Sequence, residues 1–270
     1  MQLTKHHGLA NDFLVVLDEA NGGAVEVDGE LARRLCHRRT GIGADGLIRG
    51  AIPTGEDRDA GVDLVMHLYN ADGSRAEMSG NGIRCLAQAF TRLRGCDQAT
   101  VVVRTDGGVR EVAVRAGTST ESVATVGMGR AQDGPPVPGP LAEELDGRYR
   151  TLDLGNPHLV VEVPDPASVD LATEGAWLEQ QFPGGVNVEF IAPGVGDDQV
   201  TMVVWERGVG ITEACGTGAC AAAVAAHGWG LVGTPVQVRM PGGTAEVDIG
   251  DEIRLTGPAV FVAVIEVDGG

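Results

Sequence analysis

Basic residues are scarce in this sequence. Its 270 residues include 20 Lys and Arg against 38 Asp and Glu, so the formal net charge is −18. Nucleic acids and anionic membrane surfaces repel such a chain at long range. The charge balance therefore predicts a small-molecule partner, with no nucleic acid and no membrane among its partners.

Long apolar runs and paired cysteines are missing as well. The N-terminus lacks the apolar core of a signal peptide, and no run approaches the roughly 18 apolar residues that span a bilayer. The five cysteines form an odd set without a Cys-x2-Cys pair, which indicates neither a disulfide framework nor a zinc knuckle. We expect a cytoplasmic protein with reduced thiols and no metal site.

Short β-rich segments bounded by Gly, Asn or Asp predominate, and their turn-like spacing predicts a largely antiparallel sheet. Helical segments are fewer, and the last is a nearly pure run of Ala, Val and Cys that must be buried on all sides. The predicted strands are 13–17, 62–69, 100–103, 109–114, 159–163, 200–205 and 236–240, and the predicted helices are 29–38, 83–93, 172–181 and 219–226.

A short motif occurs twice. Residues 77–82 read EMSGNG and residues 213–218 read EACGTG, 136 positions apart (215 − 79 = 136). The prolines of residues 133–140 cannot continue a helix or a central strand, so a loop is predicted near the midpoint. We therefore predict an α+β fold of two pseudo-symmetric halves, each a curved, mainly antiparallel sheet around one central helix. The expected halves are residues 1–117, completed by a C-terminal strand at 261–270, and residues 118–260, with the active site in the cleft between them.

Each copy of the motif places Gly-x-Gly between a polar residue and a predicted helix. Glycines let a ligand approach the backbone, and the first N–H groups of a helix attract anions such as a carboxylate. A capping role alone would explain Ser79, since Ser is a favoured N-cap, but Cys is a poor one. At a helix N-terminus the pKa of the Cys215 thiol is expected to fall towards neutrality, which would make the thiol a usable base or nucleophile.

Eight further strings are distributed along the chain. They are HGLANDF (7–13), GIGADGL (41–47), YNADGS (69–74), GNGIRC (80–85), GNPH (155–158), NVEF (187–190), ERG (206–208) and ACGTGAC (214–220). In this order they resemble the diaminopimelate epimerase family over nearly the whole chain, which is far more specific than one Gly-rich loop. The resemblance implies an isomerase of lysine and peptidoglycan precursor synthesis that converts LL-2,6-diaminopimelate to meso-diaminopimelate without a cofactor. It also implies a homodimer.

The family's reaction uses two cysteines on opposite faces of the substrate α-carbon, one as thiolate base and one as thiol acid. The resemblance gives one of these catalytic positions to Cys215 and the other to Ser79. It implies that His158 lies close to the reacting thiols, although a hydrogen-bonded structural histidine is an equal alternative. The implied contacts to the α-carboxylate are Gly80, Asn81, Gly216 and Thr217, and those to the rest of the amino-acid substrate are Asn11, Asn70, Asn156, Asn187, Glu206 and Arg207.

Ser79 departs from the family pattern, and Ala10 stands where the family usually has Gly. An alcohol forms almost no alkoxide near neutrality, so Ser79 should impair two-base inversion. Three explanations stay open: an engineered Cys-to-Ser variant, a natural homologue in which Ser donates a proton relayed by water, or substitution by Cys85, nearly two turns into the helix. Two other functions also stay open: a same-fold racemase or isomerase of another amino acid, and a non-catalytic amino-acid-binding homologue.

Overall fold

The computed structural model describes residues 1–268, which form two compact units. The first unit contains residues 1–127 and the described residues from 257 onwards, and the second contains residues 128–256. The first boundary lies ten residues beyond the predicted one at 117 (127 − 117 = 10), because the strand that follows the turn at 117–120 still pairs with the first unit. Residues 269 and 270 of the predicted C-terminal strand lie outside the described residues.

The first unit is a sheet with one long helix against it. Its strands are β1 Gln2–Gly8, β2 Asn11–Leu17, β3 Gly46–Ala51, β4 Leu64–Asn70, β5 Arg75–Ala76, β6 Gln98–Thr105, β7 Gly108–Ala116 and β8 Glu121–Gly129, and its helices are α1 Gly29–Cys36, α2 Glu56–Asp59 and α3 Gly80–Leu93. A short 3-10 helix lies at Glu19–Asn21.

The second unit repeats this plan. Its strands are β9 Gln132–Asp133, β10 Tyr149–Asp153, β11 Pro157–Glu162, β12 Asn187–Pro193, β13 Gln199–Glu206, β14 Gly210–Thr212, β15 Val236–Met240, β16 Gly243–Ile249 and the start of β17 Ile253–Glu266, and its helices are α4 Gly139–Glu144, α5 Leu171–Gln181 and α6 Gly216–Gly228. A 3-10 helix lies at Pro166–Ser168. The chain passes from the first unit to the second within β8 and returns within β17.

The pairing of the strands confirms the predicted internal repeat. In the first unit β1 and β2 are antiparallel, β2 and β3 parallel, β3 and β4 antiparallel, β4 and β6 parallel, and β6 and β7 antiparallel. The same sequence of pairings runs through β10, β11, β12, β13, β15 and β16 in the second unit. The predicted α+β class with mainly antiparallel sheets is therefore correct.

One buried helix contacts several strands in each unit. α3 contacts β1, β2, β3, β6 and β7, and α6 contacts β10, β11, β12, β13, β15 and β16. The prediction that the Ala-rich helix is buried on all sides is confirmed, since only Val224, His227 and Gly228 of α6 have more than slight exposure. α1 and α5 pack against strands through separate clusters that include Leu35 and Leu178.

Both central helices begin three residues earlier than predicted, at Gly80 and Gly216 rather than at 83 and 219. The motif glycines are part of the first helical turn, because the residue before each helix caps it. The predicted loop at 133–140 is also shorter than expected. α4 begins at Gly139 with Pro140 in its first turn, where a helix needs no N–H donor and proline is tolerated.

None of the helices within residues 1–268 is both long enough and apolar enough to cross a lipid bilayer.

Candidate active site

The two copies of the motif form the same local structure. Ser79 is the N-cap of α3 with φ −139° and ψ 125°, and Cys215 is the N-cap of α6 with φ −121° and ψ 118°. The N–H of Gly82 donates to Ser79 Oγ at 3.0 Å, and the N–H of Gly218 donates to Cys215 Sγ at 3.4 Å. Ser79 therefore has the capping role that its residue type suggests, and Cys215 caps its helix in the same way despite being a thiol.

The glycines after each cap allow close packing at the helix N-terminus. A Cβ at Gly82 would lie 3.1 Å from Ile48 Cδ1, and a Cβ at Gly218 would lie 2.6 Å from Glu189 Oε1. The N–H groups of Gly80 and Gly216 lie in the first turn, where helix geometry supplies no intrahelical acceptor. A helix N-terminus with such N–H groups attracts negative charge.

Cys215 lies in an environment that disfavours its ionised form. Burial raises the pKa of the Cys215 thiol well above its ordinary value, and the nearby carboxyl groups of Glu206 and Glu189 raise it further. Hydrogen bonds from Thr217 and the Gly218 N–H act in the opposite direction but do not offset these effects. The expectation of a pKa lowered towards neutrality is therefore wrong, because burial and two carboxyl groups outweigh the helix N-terminus.

A chain of hydrogen bonds leads away from Cys215. Its Sγ lies 3.5 Å from Thr217 Oγ1, and Asn156 Nδ2 donates to that hydroxyl at 3.3 Å. Asn156 Oδ1 lies 3.0 Å from His158 Nε2, and His158 Nδ1 lies 2.7 Å from Glu189 Oε1. Three residues that sequence reasoning assigned to the site, Asn156, His158 and Thr217, are therefore joined to Cys215 in one network.

Glu206 and Arg207 are adjacent in sequence but have different surroundings. Burial raises the pKa of Glu206, whose carboxyl group accepts from the Thr212 hydroxyl and has Cys215 as a second hydrogen-bond partner. Arg207 is exposed, and its guanidinium donates to the Gly184 carbonyl at 3.3 Å. Its backbone N–H donates to Asn187 Oδ1 at 3.0 Å, so Asn187 fixes the backbone at the end of β13.

In the first unit, a second polar cluster lies beside the N-terminus of α3. Asn81 Nδ2 donates to Asn11 Oδ1 at 3.2 Å, and Asn11 Nδ2 donates to Asp45 Oδ2 at 2.8 Å. Arg84, which is fully buried, donates to Asn81 Oδ1 at 2.6 Å. Asn70, the last residue of β4, donates to Ser74 Oγ at 3.0 Å and so belongs to the following turn.

The turn between β1 and β2 positions Asn11. Leu9 and Ala10 have φ values of 55° and 65°, the pattern of a two-residue hairpin turn with both central residues in the left-handed region. Glycine is favoured at such positions because other residues are strained there. The departure at Ala10 therefore has a structural cost.

The other cysteines do not reproduce the environment of Ser79. Cys85 is fully buried inside α3, and burial raises the pKa of its thiol to about 12. It does not lie at the helix N-terminus, where a group replacing Ser79 would have to be. Cys220 is buried in α6 and is a core residue. Within residues 1–268, no three His, Cys, Asp or Glu side chains lie close enough together to hold a metal ion.

Glu189 and Asp45 were missed as site residues by sequence reasoning, although both lie inside strings that carried the resemblance. Glu189 is completely buried in β12 and contacts His158, and Asp45 orients Asn11. For Glu189 the available signal was a carboxylate within an otherwise apolar run, since a buried carboxylate requires a partner.

Comparison with known proteins agrees with the resemblance. The sequence model of the family described as diaminopimelate epimerase matches residues 3–133 and 150–262. The chain is 38% identical over 281 residues to the diaminopimelate epimerase of Synechococcus elongatus, covering 97% of this chain and 96% of the relative.

Two solved structures share the fold. A Pseudomonas aeruginosa protein described as a predicted epimerase has a TM-score of 0.75 at 17% identity, covering 100% of this chain and 99% of that one. A hydroxyproline epimerase from Agrobacterium vitis has a TM-score of 0.70 at 16% identity, covering 98% and 91%.

Proposed function

Because this chain belongs to the diaminopimelate epimerase family, we propose that it interconverts LL- and meso-2,6-diaminopimelate by cofactor-independent proton transfer at an α-carbon. The observation that supports this most is the repeated helix N-terminus. One copy presents Cys215 and the other presents Ser79, each as the cap of a buried helix. A reaction that inverts a stereocentre needs one proton-transferring group on each face of the carbon, and a duplicated site supplies two such groups.

The substrate's α-carboxylate would bind to the backbone N–H groups at these helix starts, from Gly80, Asn81, Gly216 and Thr217. Such donors would also stabilise the negative charge that develops when the α-proton leaves. Arg207 is exposed and can bind a distal carboxylate in a bidentate manner, and the Glu206 carboxyl group can accept from an ammonium group. The amide groups of Asn11, Asn70, Asn156 and Asn187 would complete the recognition of the amino acid.

The activity of this sequence would be restricted by Ser79. Its hydroxyl can donate a proton, but without a neighbouring base it cannot remove one from an α-carbon near neutral pH. Cys215 would then be the single group able to act as base. We expect exchange of the α-proton in the isomer whose C–H faces Cys215, with slow or absent inversion.

The test is α-proton exchange in D2O followed by NMR, starting separately from LL- and meso-diaminopimelate. The protein is compared with Ser79→Cys, which supplies the second thiol, and with Cys215→Ala, which removes the first. Exchange of one isomer only, inversion gained in Ser79→Cys and loss of both in Cys215→Ala would support the proposal.

Two results would contradict it. Exchange that survives in Cys215→Ala would exclude this thiol as the acid-base group. No exchange of either isomer by the protein or by Ser79→Cys would exclude diaminopimelate as substrate, and hydroxyproline, the ligand bound in the Agrobacterium vitis structure, would be the next amino acid to test. If calorimetry then showed diaminopimelate binding without exchange, a non-catalytic binding protein would be the better description.

The family resemblance extends the proposal to a cytoplasmic homodimer. Light scattering after size-exclusion chromatography would show about twice the chain mass of 27.9 kDa for a dimer.

A further inference from the structure

The carboxyl group of Glu189 is buried without full hydrogen bonding. Both Glu189 and His158 are completely buried, and they contact each other through Oε1 and Nδ1 at 2.7 Å. Among the described residues, Glu189 Oε2 has no hydrogen-bond partner. Such an arrangement is costly, because a buried charge is stabilised only when it is paired and its remaining lone pairs are satisfied.

The first unit has apolar residues at the corresponding positions. His158 and Phe13 each lie two residues after an Asn and are paired with the first residue of the neighbouring parallel strand, Asn187 and Gly46 respectively. Two residues further along that strand are Glu189 in the second unit and Ile48 in the first.

The contacts of the central helices confirm this correspondence. A Cβ at Gly218 would meet Glu189 first, and a Cβ at Gly82 would meet Ile48 first. Gly218 and Gly82 are each three residues after the cap, Cys215 or Ser79. Glu189 and Ile48 therefore occupy corresponding positions: Glu189 lies beside the helix N-terminus that Cys215 caps, and Ile48 lies beside the one that Ser79 caps.

The comparison of the two units shows that the Glu189–His158 pair is not needed for folding. The first unit forms the same pairings and the same capped helix with Phe13 and Ile48, so the fold does not require a charged or polar pair here. The polar pair of Glu189 and His158 occurs in the second unit, where the central helix α6 is capped by a thiol. The hydrogen-bond chain through Asn156 and Thr217 connects this pair to the thiol.

We propose that Glu189 is a positioning residue for Cys215: it holds His158 through Nδ1 and, together with Glu206, places carboxyl groups beside the thiol at the N-terminus of α6. The thiol must then lose its proton before Cys215 can act as the base. The inference deepens the proposed function and rests on it only in taking Cys215 as the acid-base group.

The groups that face Cys215 come from three strands and from its own helix. β13 contributes Glu206, β12 contributes Glu189, β11 contributes His158 at the far end of the hydrogen-bond chain, and α6 contributes the Thr217 hydroxyl and the Gly218 N–H. Two carboxyl groups therefore oppose ionisation of the thiol, and the hydroxyl and the amide favour it. Removing the charge of Glu189 should make the thiolate easier to form.

The experiment measures the rate at which iodoacetamide alkylates Cys215 as a function of pH, without substrate. Mass spectrometry of the Cys215 peptide separates it from the other four thiols, and each profile is normalised to its alkaline plateau so that burial does not affect the midpoint. The variants are Glu189→Gln, which removes the charge in a side chain of similar shape, and Glu189→Asp, which retains it. The control is Asp18→Asn, which removes a buried carboxylate that pairs with Arg49 in the first unit.

We expect the midpoint for Cys215 to fall by at least about one pH unit in Glu189→Gln, equivalent to about tenfold faster alkylation below the midpoint. Glu189→Asp and Asp18→Asn should leave it near that of the unchanged protein. An unchanged midpoint in folded Glu189→Gln, or an equal shift in Asp18→Asn, would overturn the proposal.

A second measurement needs no variant and so does not depend on the folding of Glu189→Gln. In the unchanged protein, the midpoint for Cys215 should lie above that for Cys96, which is exposed. A midpoint for Cys215 at or below that of Cys96 would overturn the proposal. Both measurements are independent of diaminopimelate turnover, so failure of the proposed substrate would be seen separately in the exchange experiment.

Discussion

Ser79 Oγ and Cys215 Sγ accept equivalent hydrogen bonds, from the backbone N–H of Gly82 at 3.0 Å and of Gly218 at 3.4 Å. An oxygen and a sulfur thus perform the same structural role at corresponding positions of α3 and α6. The difference between serine and cysteine at position 79 should therefore affect the chemistry much more than the fold.

Replacement of the cap separates these two effects. Ser79→Ala leaves the Gly82 N–H without its acceptor and should lower the free energy of unfolding by about 1 kcal/mol. Ser79→Cys keeps an acceptor and should cost less than Ser79→Ala. Urea denaturation of the three proteins measures this, with Cys215→Ser as the matched change at the other helix. A loss in Ser79→Cys as large as that in Ser79→Ala would show that sulfur cannot replace oxygen as the cap of α3.

The hairpin turn before Asn11 gives a prediction of increased stability. Ala10 has a φ of 65°, which costs an L-residue with a Cβ roughly 1–2 kcal/mol. Ala10→Gly removes this strain but adds entropy to the unfolded chain, so we expect a net gain of about 0.5–1 kcal/mol. Thermal unfolding should show it as an increase of a few degrees. Ala20→Gly, outside such a turn, should not increase stability, and a decrease in Ala10→Gly would mean that the strain is absent.

The pH dependence of exchange follows from the environment of Cys215. Burial and the neighbouring carboxyl groups raise the pKa of its thiol, so little thiolate is present near neutral pH. The exchange rate should increase about tenfold per pH unit below that pKa, because the thiolate fraction does. NMR exchange between pH 6.5 and 9.5, within the range where circular dichroism reports a folded protein, measures it. A rate that reaches its maximum near pH 7 would contradict a raised pKa.

Much of the fold could be predicted from the sequence because its signals are local. A cap followed by glycines and an apolar run indicates a buried helix, and its recurrence after 136 residues indicates the repeat. The predicted starts of the central helices lie three residues after the observed ones, because glycines in a sequence indicate a loop whereas these glycines form the first helical turn. Proline also indicates a loop, although the first turn of a helix accepts Pro140.

The site was less predictable because its electrostatics depend on residues distant in sequence. The effect of the helix N-terminus on Cys215 can be inferred from the motif alone. Glu189, 26 residues earlier (215 − 189 = 26), comes close only when β12 lies beside α6. A single sequence does not reveal that this carboxyl group points inwards, so the motif alone predicts a lowered pKa for Cys215, whereas the structure raises it.

His6 should make the protein sensitive to mild acid. Burial lowers the pKa of His6 from 6.5 to about 4, and its ring is hydrogen-bonded to Gln88 and Thr4. Between these pH values the unfolded chain binds a proton at His6 that the folded protein does not, so stability falls as pH decreases from 6.5 to 4. The full effect is about 3 kcal/mol, from 2.5 pH units at 1.36 kcal/mol each (6.5 − 4 = 2.5).

Urea denaturation at pH 7.5 and at pH 4.5 measures this effect on the free energy of unfolding, for the protein and for His6→Gln. The variant should have lower stability at pH 7.5 but a smaller loss on acidification. Equal losses in both proteins would assign the acid sensitivity to other groups.

Substitution of the helix glycines tests how closely Glu189 approaches α6. Alanine normally stabilises a helix relative to glycine by about 1 kcal/mol. In Gly218→Ala, however, the new Cβ would lie 2.6 Å from Glu189 Oε1, so the carboxyl group must move away from His158. We expect a loss of about 1–3 kcal/mol, as for other overpacked sites. The matched change is Gly82→Ala, whose Cβ would lie 3.1 Å from the flexible end of Ile48 and should cost less. If Gly218→Ala were as stable as Gly82→Ala, the close contact between Glu189 and the N-terminus of α6 would not exist in solution, and this carboxyl group would not be placed to act on Cys215.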